Sequence, residues 1–268
     1  MPPRPAPLPP CPAPLVSTEG DFRTLAFAPG EVQSAMRLSD PTRLVLAYCR
    51  AIMCFALFVP RPRHIIMVGL GGGSLVKFCH RHFPDAAITV IESRADVIAL
   101  RAQFAVPPDD ARLRVVHADA ADWLARFAGS ADVLVVDGFE RTGLPPALGS
   151  ARFYGDCRRA LADGGVLVAN IFSYDPHYPR MRARLSLMFD ARVCCLARAA
   201  GNNRILFAVK AGIGAHAPRA LRVQRWVARA DARGLRFGLG LFHAMLAQAV
   251  VLWLAHRDAI QKATKSRN

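Results

Sequence analysis

The sequence predicts an α/β fold: a doubly wound, mostly parallel seven-stranded sheet, with a small N-terminal β segment before it and a C-terminal helical appendage after it. Two observations carry that prediction. Between residues 64 and 210, short runs that are apolar almost throughout alternate with amphipathic helical stretches, and strands apolar on both faces belong in a sheet covered by helices on both sides. A glycine-rich stretch, MVGLGGGSLVKF (67–78), leaves the first of those runs and opens the first of those helices, where a ligand can meet the carboxyl ends of the strands.

In chain order, the first fourteen residues, MPPRPAPLPPCPAP, hold eight prolines, which cannot form a helix or the apolar core of an export signal. Residues 1–20 are therefore expected to be a disordered Pro-rich tail. Within a 21–62 segment, DFRTLAFAPGEVQS (21–34) predicts one or two short strands around a Pro29-Gly30 turn. Asp40 as N-cap and Pro41 at the first helical position then open a helix expected to run through Leu44, Tyr48, Ile52 and Phe55.

A 63–212 domain follows. Its strand candidates are HIIMVG (64–69), AITVIE (87–92), RLRVVHAD (112–119), ADVLVVDG (131–138), GVLVANIF (165–172), ARVCCLA (191–197) and NRILFAVK (203–210). Helical stretches fall near 74–83, 94–104, 120–128, 151–162 and 177–188. The last two strands are joined only by residues 198–202, too few for the crossover that parallel neighbours require, so the seventh strand must insert antiparallel. A parallel doubly wound sheet ending in an antiparallel strand resembles the S-adenosylmethionine-dependent transferases, at the level of fold.

Residues 213–268 read as a basic helical appendage. Inside it, Phe237 to Ala255 is nineteen residues without Asp, Glu, Lys or Arg, but Gly238, Gly240, His243 and Gln248 interrupt it. It is read as a buried or partner-facing helix rather than a membrane span.

With 268 residues, 53% of them hydrophobic, the chain can bury a substantial core, which excludes a disordered protein. The formal net charge of +15 makes nucleic acid or an acidic partner electrostatically accessible, yet the arginines are scattered and no run of five basic residues occurs. Seven cysteines, an odd number without a C-x-x-C spacing, suggest reduced thiols in a cytoplasm. No His or Cys spacing suits a metal; His80 and His82 point apart on one helix. Ser74 is expected to cap a helix rather than act as a nucleophile.

Gly69, Gly71, Gly72 and Gly73 follow the first long strand, where bare backbone allows a ligand to approach closely. Neither phosphate motif fits: Lys77 lacks the residues a P-loop needs around it, and Ser74 stands where a dinucleotide fingerprint needs its third glycine. The stronger signal is three successive strands ending in carboxylates at one rim. Glu92 is placed to accept ribose hydroxyls, Asp119 to meet a base edge or to cap the next helix, and Asp137 ends the fourth strand.

Together these residues resemble the spermidine synthase (polyamine aminopropyltransferase) family, and within it the bacterial spermidine synthase-like branch. The resemblance runs from about Phe27 to Lys210. It rests on Gln33-Ser34, Tyr48, GLGGGS, Glu92, HADAADWL (117–124), VVDGFE (135–140), the helix with Phe153-Tyr154, and LADGGVLVANIF (161–172). It implies a nucleoside sulfonium co-substrate, decarboxylated S-adenosylmethionine or S-adenosylmethionine, lying over Gly69, Gly71 and Gly73; from the His and Cys spacing no metal is expected beside it. It further implies Glu92 on the ribose, Asp119 and Ala120 facing the adenine, Gln33 toward the sulfonium, Asp137 and Glu140 as the catalytic acids of a D-x-x-D stretch, and Tyr48 and Tyr154 on a small-molecule amine acceptor. Pairing of two copies through the N-terminal region is a further implication.

Two departures bear on the substrate. The glycine loop of the family carries an aspartate where Gly72 stands, and a Tyr-His-Glu triplet reads Tyr48-Cys49-Arg50 here. Losing an acid and gaining a cation disfavours a polycation. Three readings therefore stand side by side: an aminopropyltransferase acting on a polyamine, an S-adenosylmethionine-dependent methyltransferase, and a non-catalytic nucleoside-binding or interaction module.

Overall fold

The structure, a computed structural model, describes residues 12–127, 129–138, 143–200 and 202–211. It opens with an antiparallel three-stranded sheet of β1 (Leu15–Glu19), β2 (Phe22–Ala26) and β3 (Val32–Arg37), in the order β1-β2-β3. The expected tail is thus too long: the prolines stop at Pro14, and Leu15 to Glu19 pair in register with Ala26 to Phe22. Once the N–H groups are free to donate, nothing prevents pairing with the strand that follows.

The helix expected from Asp40 also starts later. Asp40 closes a local turn instead: its carboxylate accepts from the Thr42 hydroxyl at 2.9 Å and its carbonyl from the Arg43 N–H at 3.1 Å. The helical residues are α1 (Ala47–Ile52) and α2 (Phe55–Phe58). Arg50 folds back to donate to the carbonyls of Leu44 and Val45, satisfying the non-helical chain ahead of α1.

The second sheet contains β4 (His64–Val68), β5 (Ala87–Glu92), β6 (Leu113–His117), β7 (Ala131–Val136), β8 (Leu161–Phe172), β9 (Val193–Ala200) and β10 (Asn203–Val209). Its order is β6-β5-β4-β7-β8-β10-β9, parallel from β6 to β8, with β10 antiparallel to both β8 and β9. The antiparallel insertion that the short final connection demanded is present. Between the strands lie α3 (Ser74–His82), α4 (Ala95–Ala99), α5 (Ala120–Arg126), α6 (Ala151–Ala160) and α7 (Tyr178–Met188). The stretch expected to be helical to 104 is helical only to Ala99, after which turns carry the chain on.

Strand side chains alternate between two cores. Ile65, Met67, Val133 and Val135 pack toward α1 and α3, while Ile66, Val68, Leu134 and Val136 pack toward α5, α6 and α7. Both faces being buried explains why these strands read as continuous apolar runs. Among the described residues no helix is long and apolar enough to cross a membrane, and the 237–255 stretch lies outside them.

The N-cap of α3 is Gly73, with φ +65°, not Ser74, whose hydroxyl reaches the Ala35 carbonyl at 3.4 Å. A Cβ at Gly73 would stand 2.2 Å from Val106 Cγ2 in a left-handed conformation. Gly73→Ala should therefore destabilise the fold by about 1–3 kcal/mol, seen as a lowered Tm. Val106→Ala should recover part of the loss, and an unchanged Tm in Gly73→Ala would refute the packing.

Candidate functional site

A cavity of about 610 Å³ opens at the rim where the parallel strands end, roofed by the β2–β3 turn and by α1. Its base is the glycine loop after β4. The Gly69 N–H donates to the Ile91 carbonyl at 2.8 Å, and its φ of +95° lets the chain leave β4 against β7. A Cβ there would lie 2.5 Å from the Asp137 carbonyl oxygen, so only bare backbone allows the two strand ends to converge.

Glu92, buried at the end of β5, is held by main chain. Its Oε2 accepts from the Leu70 N–H at 2.8 Å and its Oε1 from the Arg94 N–H at 2.9 Å. Each oxygen keeps an acceptor position beyond these bonds, so the carboxylate is fixed in orientation without being saturated. Asp119 follows β6 and makes the cap expected of it, Oδ1 accepting from the Asp122 N–H at 3.0 Å, while the residue also lines the cavity beside Ala120. One carboxylate has acceptor sites enough for both roles.

Asp137, just past β7, lines the same cavity. Its Oδ1 accepts from Asn170 Nδ2 at 2.7 Å, and Asn170 Oδ1 in turn accepts from Asn203 Nδ2 at 2.9 Å. Desolvation by the surrounding protein pushes the Asp137 carboxyl up to about 7, although the Asn170 bond opposes this by favouring the charged form. Tyr48 and Cys49 of α1 lie close enough that burial and the Asp137 charge raise both of their pKa values, keeping them neutral. The Tyr48 hydroxyl donates to the Gln33 carbonyl at 3.1 Å, tying the β2–β3 roof to α1 over this carboxylate.

Of the residues singled out from sequence, Gln33, Tyr48, Gly69, Gly71, Glu92, Asp119, Ala120 and Asp137 therefore share one cavity. Gly73 does not line it; its bare backbone serves the cap of α3 and the approach of Val106. Tyr154 is a correction: α6 turns it into the core between the sheet and α7, fully buried, with no hydrogen-bond partner for its hydroxyl among the described residues. Glu140 lies outside the described residues.

Both departures look different in three dimensions. A Cβ at Gly72 would stand 2.6 Å from Ser34 Oγ and 2.9 Å from the Phe104 ring, so the loop has no room for an aspartate while Ser34 occupies that space. Arg50, expected to put a cation beside the substrate, spends its guanidinium on the carbonyls of Leu44 and Val45 and is not among the described lining residues. The cavity is locally acidic in a basic chain: Glu31, Glu92, Asp119 and Asp137 line it, with Arg94 as the cation among the described lining residues. Arg94 pairs with Asp96 at 2.6 Å and lies 4.6 Å from the centre of the Phe27 ring.

Sequence reading missed Phe27, Arg94 and Asn203 as lining residues, and passed over Asn170 as a site residue. For Asn203 a signal existed: an antiparallel strand begins at the rim where parallel strands end.

No family model matches the chain. A polyamine aminopropyltransferase of Chromobacterium violaceum is 39% identical over 225 residues, covering 84% of this chain and 84% of that protein. A probable spermidine synthase from Corynebacterium glutamicum superimposes with a TM-score of 0.66 at 20% identity, over 81% of this chain and 83% of that one. Human methyltransferase-like protein 13, solved in complex with SAH, superimposes with a TM-score of 0.61 at 22% identity, over 71% and 92%. The fold is thus common to aminopropyl and methyl transfer, and fold alone does not choose between them.

Proposed function

The chain belongs to the polyamine aminopropyltransferase family, and we propose that it is a transferase moving an aminopropyl group from decarboxylated S-adenosylmethionine to an amine nitrogen of a polyamine. The observation that carries this reading is the charge of the cavity. A cationic acceptor is held by carboxylates, and a donor that carried its own carboxylate would enter among Glu31, Glu92, Asp119 and Asp137 with Arg94 already engaged by Asp96. The chain's net charge of +15 does not describe this cavity.

The donor supplies a sulfonium whose neighbouring carbon is open to displacement. Glu92 holds the ribose in this reading, with Asp119 and Ala120 at the adenine, Gln33 toward the sulfonium, and the bare backbone of Gly69 and Gly71 allowing close approach. Asp137 orients the acceptor and takes its proton. As the nitrogen lone pair forms the new N–C bond, the C–S bond breaks and its electron pair stays on sulfur as a neutral thioether; the proton lost from nitrogen passes to Asp137 and then to water. Tyr48, kept neutral, donates to the Gln33 carbonyl and holds the roof over the reacting atoms. Glu140 is proposed as a second acid on the acceptor, from its place in the D-x-x-D stretch.

Calorimetric titration with the decarboxylated donor, intact S-adenosylmethionine and the thioether product tests the reading. The decarboxylated form should bind at least about ten-fold more tightly than the intact one, one like-charge encounter being worth more than about 1.4 kcal/mol in a partly desolvated site. Putrescine should then be consumed with it. Preference for intact S-adenosylmethionine would instead make the chain a methyltransferase, and binding of neither would leave a nucleoside-binding fold without this activity.

A further inference from the structure

We propose that Asn203 is a positioning residue for Asp137, acting through Asn170 by fixing which end of the Asn170 amide meets the carboxylate. The inference rests on the reading of Asp137 as the base only for its kinetic consequence, not for its structural one. An amide side chain can rotate by half a turn and present either a donor or an acceptor to its neighbour. With its donor end toward Asp137, Asn170 stabilises the charged carboxylate; with its acceptor end there, it stabilises the protonated acid.

The topology supplies the lock. Asn203 lies opposite Phe172 and Asn170 opposite Ile205 in the antiparallel β8–β10 ladder, so the two asparagines are diagonal neighbours on one face of the sheet. Asn203 Nδ2 donates to Asn170 Oδ1 at 2.9 Å, which leaves Asn170 Nδ2 to donate to Asp137 at 2.7 Å. Val136 pairs with Ala169 in the parallel β7–β8 ladder, so Asp137 and Asn170 are the next residues along adjacent strands. A strand running parallel to β8 would have brought its last residue, not its first, to this rim.

Other groups around Asp137 do not duplicate the effect. Tyr48 and Cys49 face it from α1 and are kept neutral by burial; Gly69 approaches it as backbone. Glu31, Glu92 and Asp119 line the same cavity with Arg94, and their charges do not change with the Asn170 orientation. Desolvation already lifts the carboxyl to about 7 against the Asn170 bond, so losing the donor lifts it further.

The test is the titration of the Asp137 carboxyl, followed by NMR in ligand-free protein labelled with carbon-13 at aspartate side chains, with Asp137→Asn identifying the signal. In Asn203→Leu the midpoint should rise by about one pH unit or more, the size of one charge-assisted hydrogen bond. Asn170→Leu should raise it at least as far, and Asn170→Leu with Asn203→Leu no further than Asn170→Leu alone. If the leucine variant of Asn203 does not fold, Asn203→Asp keeps the shape, turns acceptors toward Asn170, and should shift the midpoint upward. Repeated in the Asn170→Leu background, the same change reads the added charge alone, and the excess over it is the relay. A midpoint unchanged in Asn203→Leu, or an additive double variant, would overturn the proposal. The acid limb of kcat/KM should move with the NMR midpoint; a midpoint that moves without the limb leaves the relay intact and refutes Asp137 as the base.

Discussion

Asp137→Asn is expected to lower turnover with a diamine acceptor about 10³-fold while leaving donor affinity within a few-fold. In the proposed reading the donor's ribose is held by Glu92, on a different strand, and the acceptor's proton goes to Asp137. In the native protein kcat/KM should rise with pH as this carboxyl ionises through about 7, and Asp137→Asn should lose that limb. The same substitution should stabilise the fold at neutral and alkaline pH. A carboxyl whose folded pKa of about 7 exceeds its ordinary 3.8 binds protons more tightly when folded, so its contribution to stability is complete below about 4 and is lost as pH rises through 7. At pH 8 the asparagine variant should therefore exceed the native protein by about 1–3 kcal/mol, discounted from the full shift because the site opens to solvent. Turnover retained within ten-fold, with the limb still present, would remove Asp137 from the chemistry.

Glu92→Ala should weaken donor binding at least about 100-fold, the loss of two hydrogen bonds to a charged acceptor. It should also lower Tm, because the N–H groups of Leu70 and Arg94 lose their acceptor where the glycine loop meets β5. Glu92→Gln keeps one acceptor oxygen and should fall between the two in both calorimetry and thermal unfolding. Donor affinity unchanged in Glu92→Ala would move the ribose elsewhere in the cavity.

The legible part of the site was the part that local sequence can encode. Glu92, Asp119 and Asp137 each end or follow a strand in a chain that alternates strands with helices, and that alternation makes the strands parallel, so that their carboxyl ends share one rim. Tyr154 misled because a tyrosine in a matched helix looks the same whether it faces a cavity or the core; helix rotation against the sheet decides it, and here it faces the core. Arg50 misled for a related reason: its charge was visible in the sequence, but the carbonyls that engage it belong to a stretch expected to be helical.

The seven-stranded layout, the antiparallel last strand, the glycine loop and the acids at strand ends are legible along the chain, because periodicity, connection length and glycine content are local properties. Three features emerge only in the folded chain: a chain of net charge +15 lines its cavity with carboxylates, Ser34 and Phe104 leave Gly72 no room for a side chain, and Asn203 reaches Asp137 through Asn170. Each of those depends on residues far apart in sequence meeting at sub-ångström tolerance, and such meetings are set by packing across strands rather than by any pattern along one.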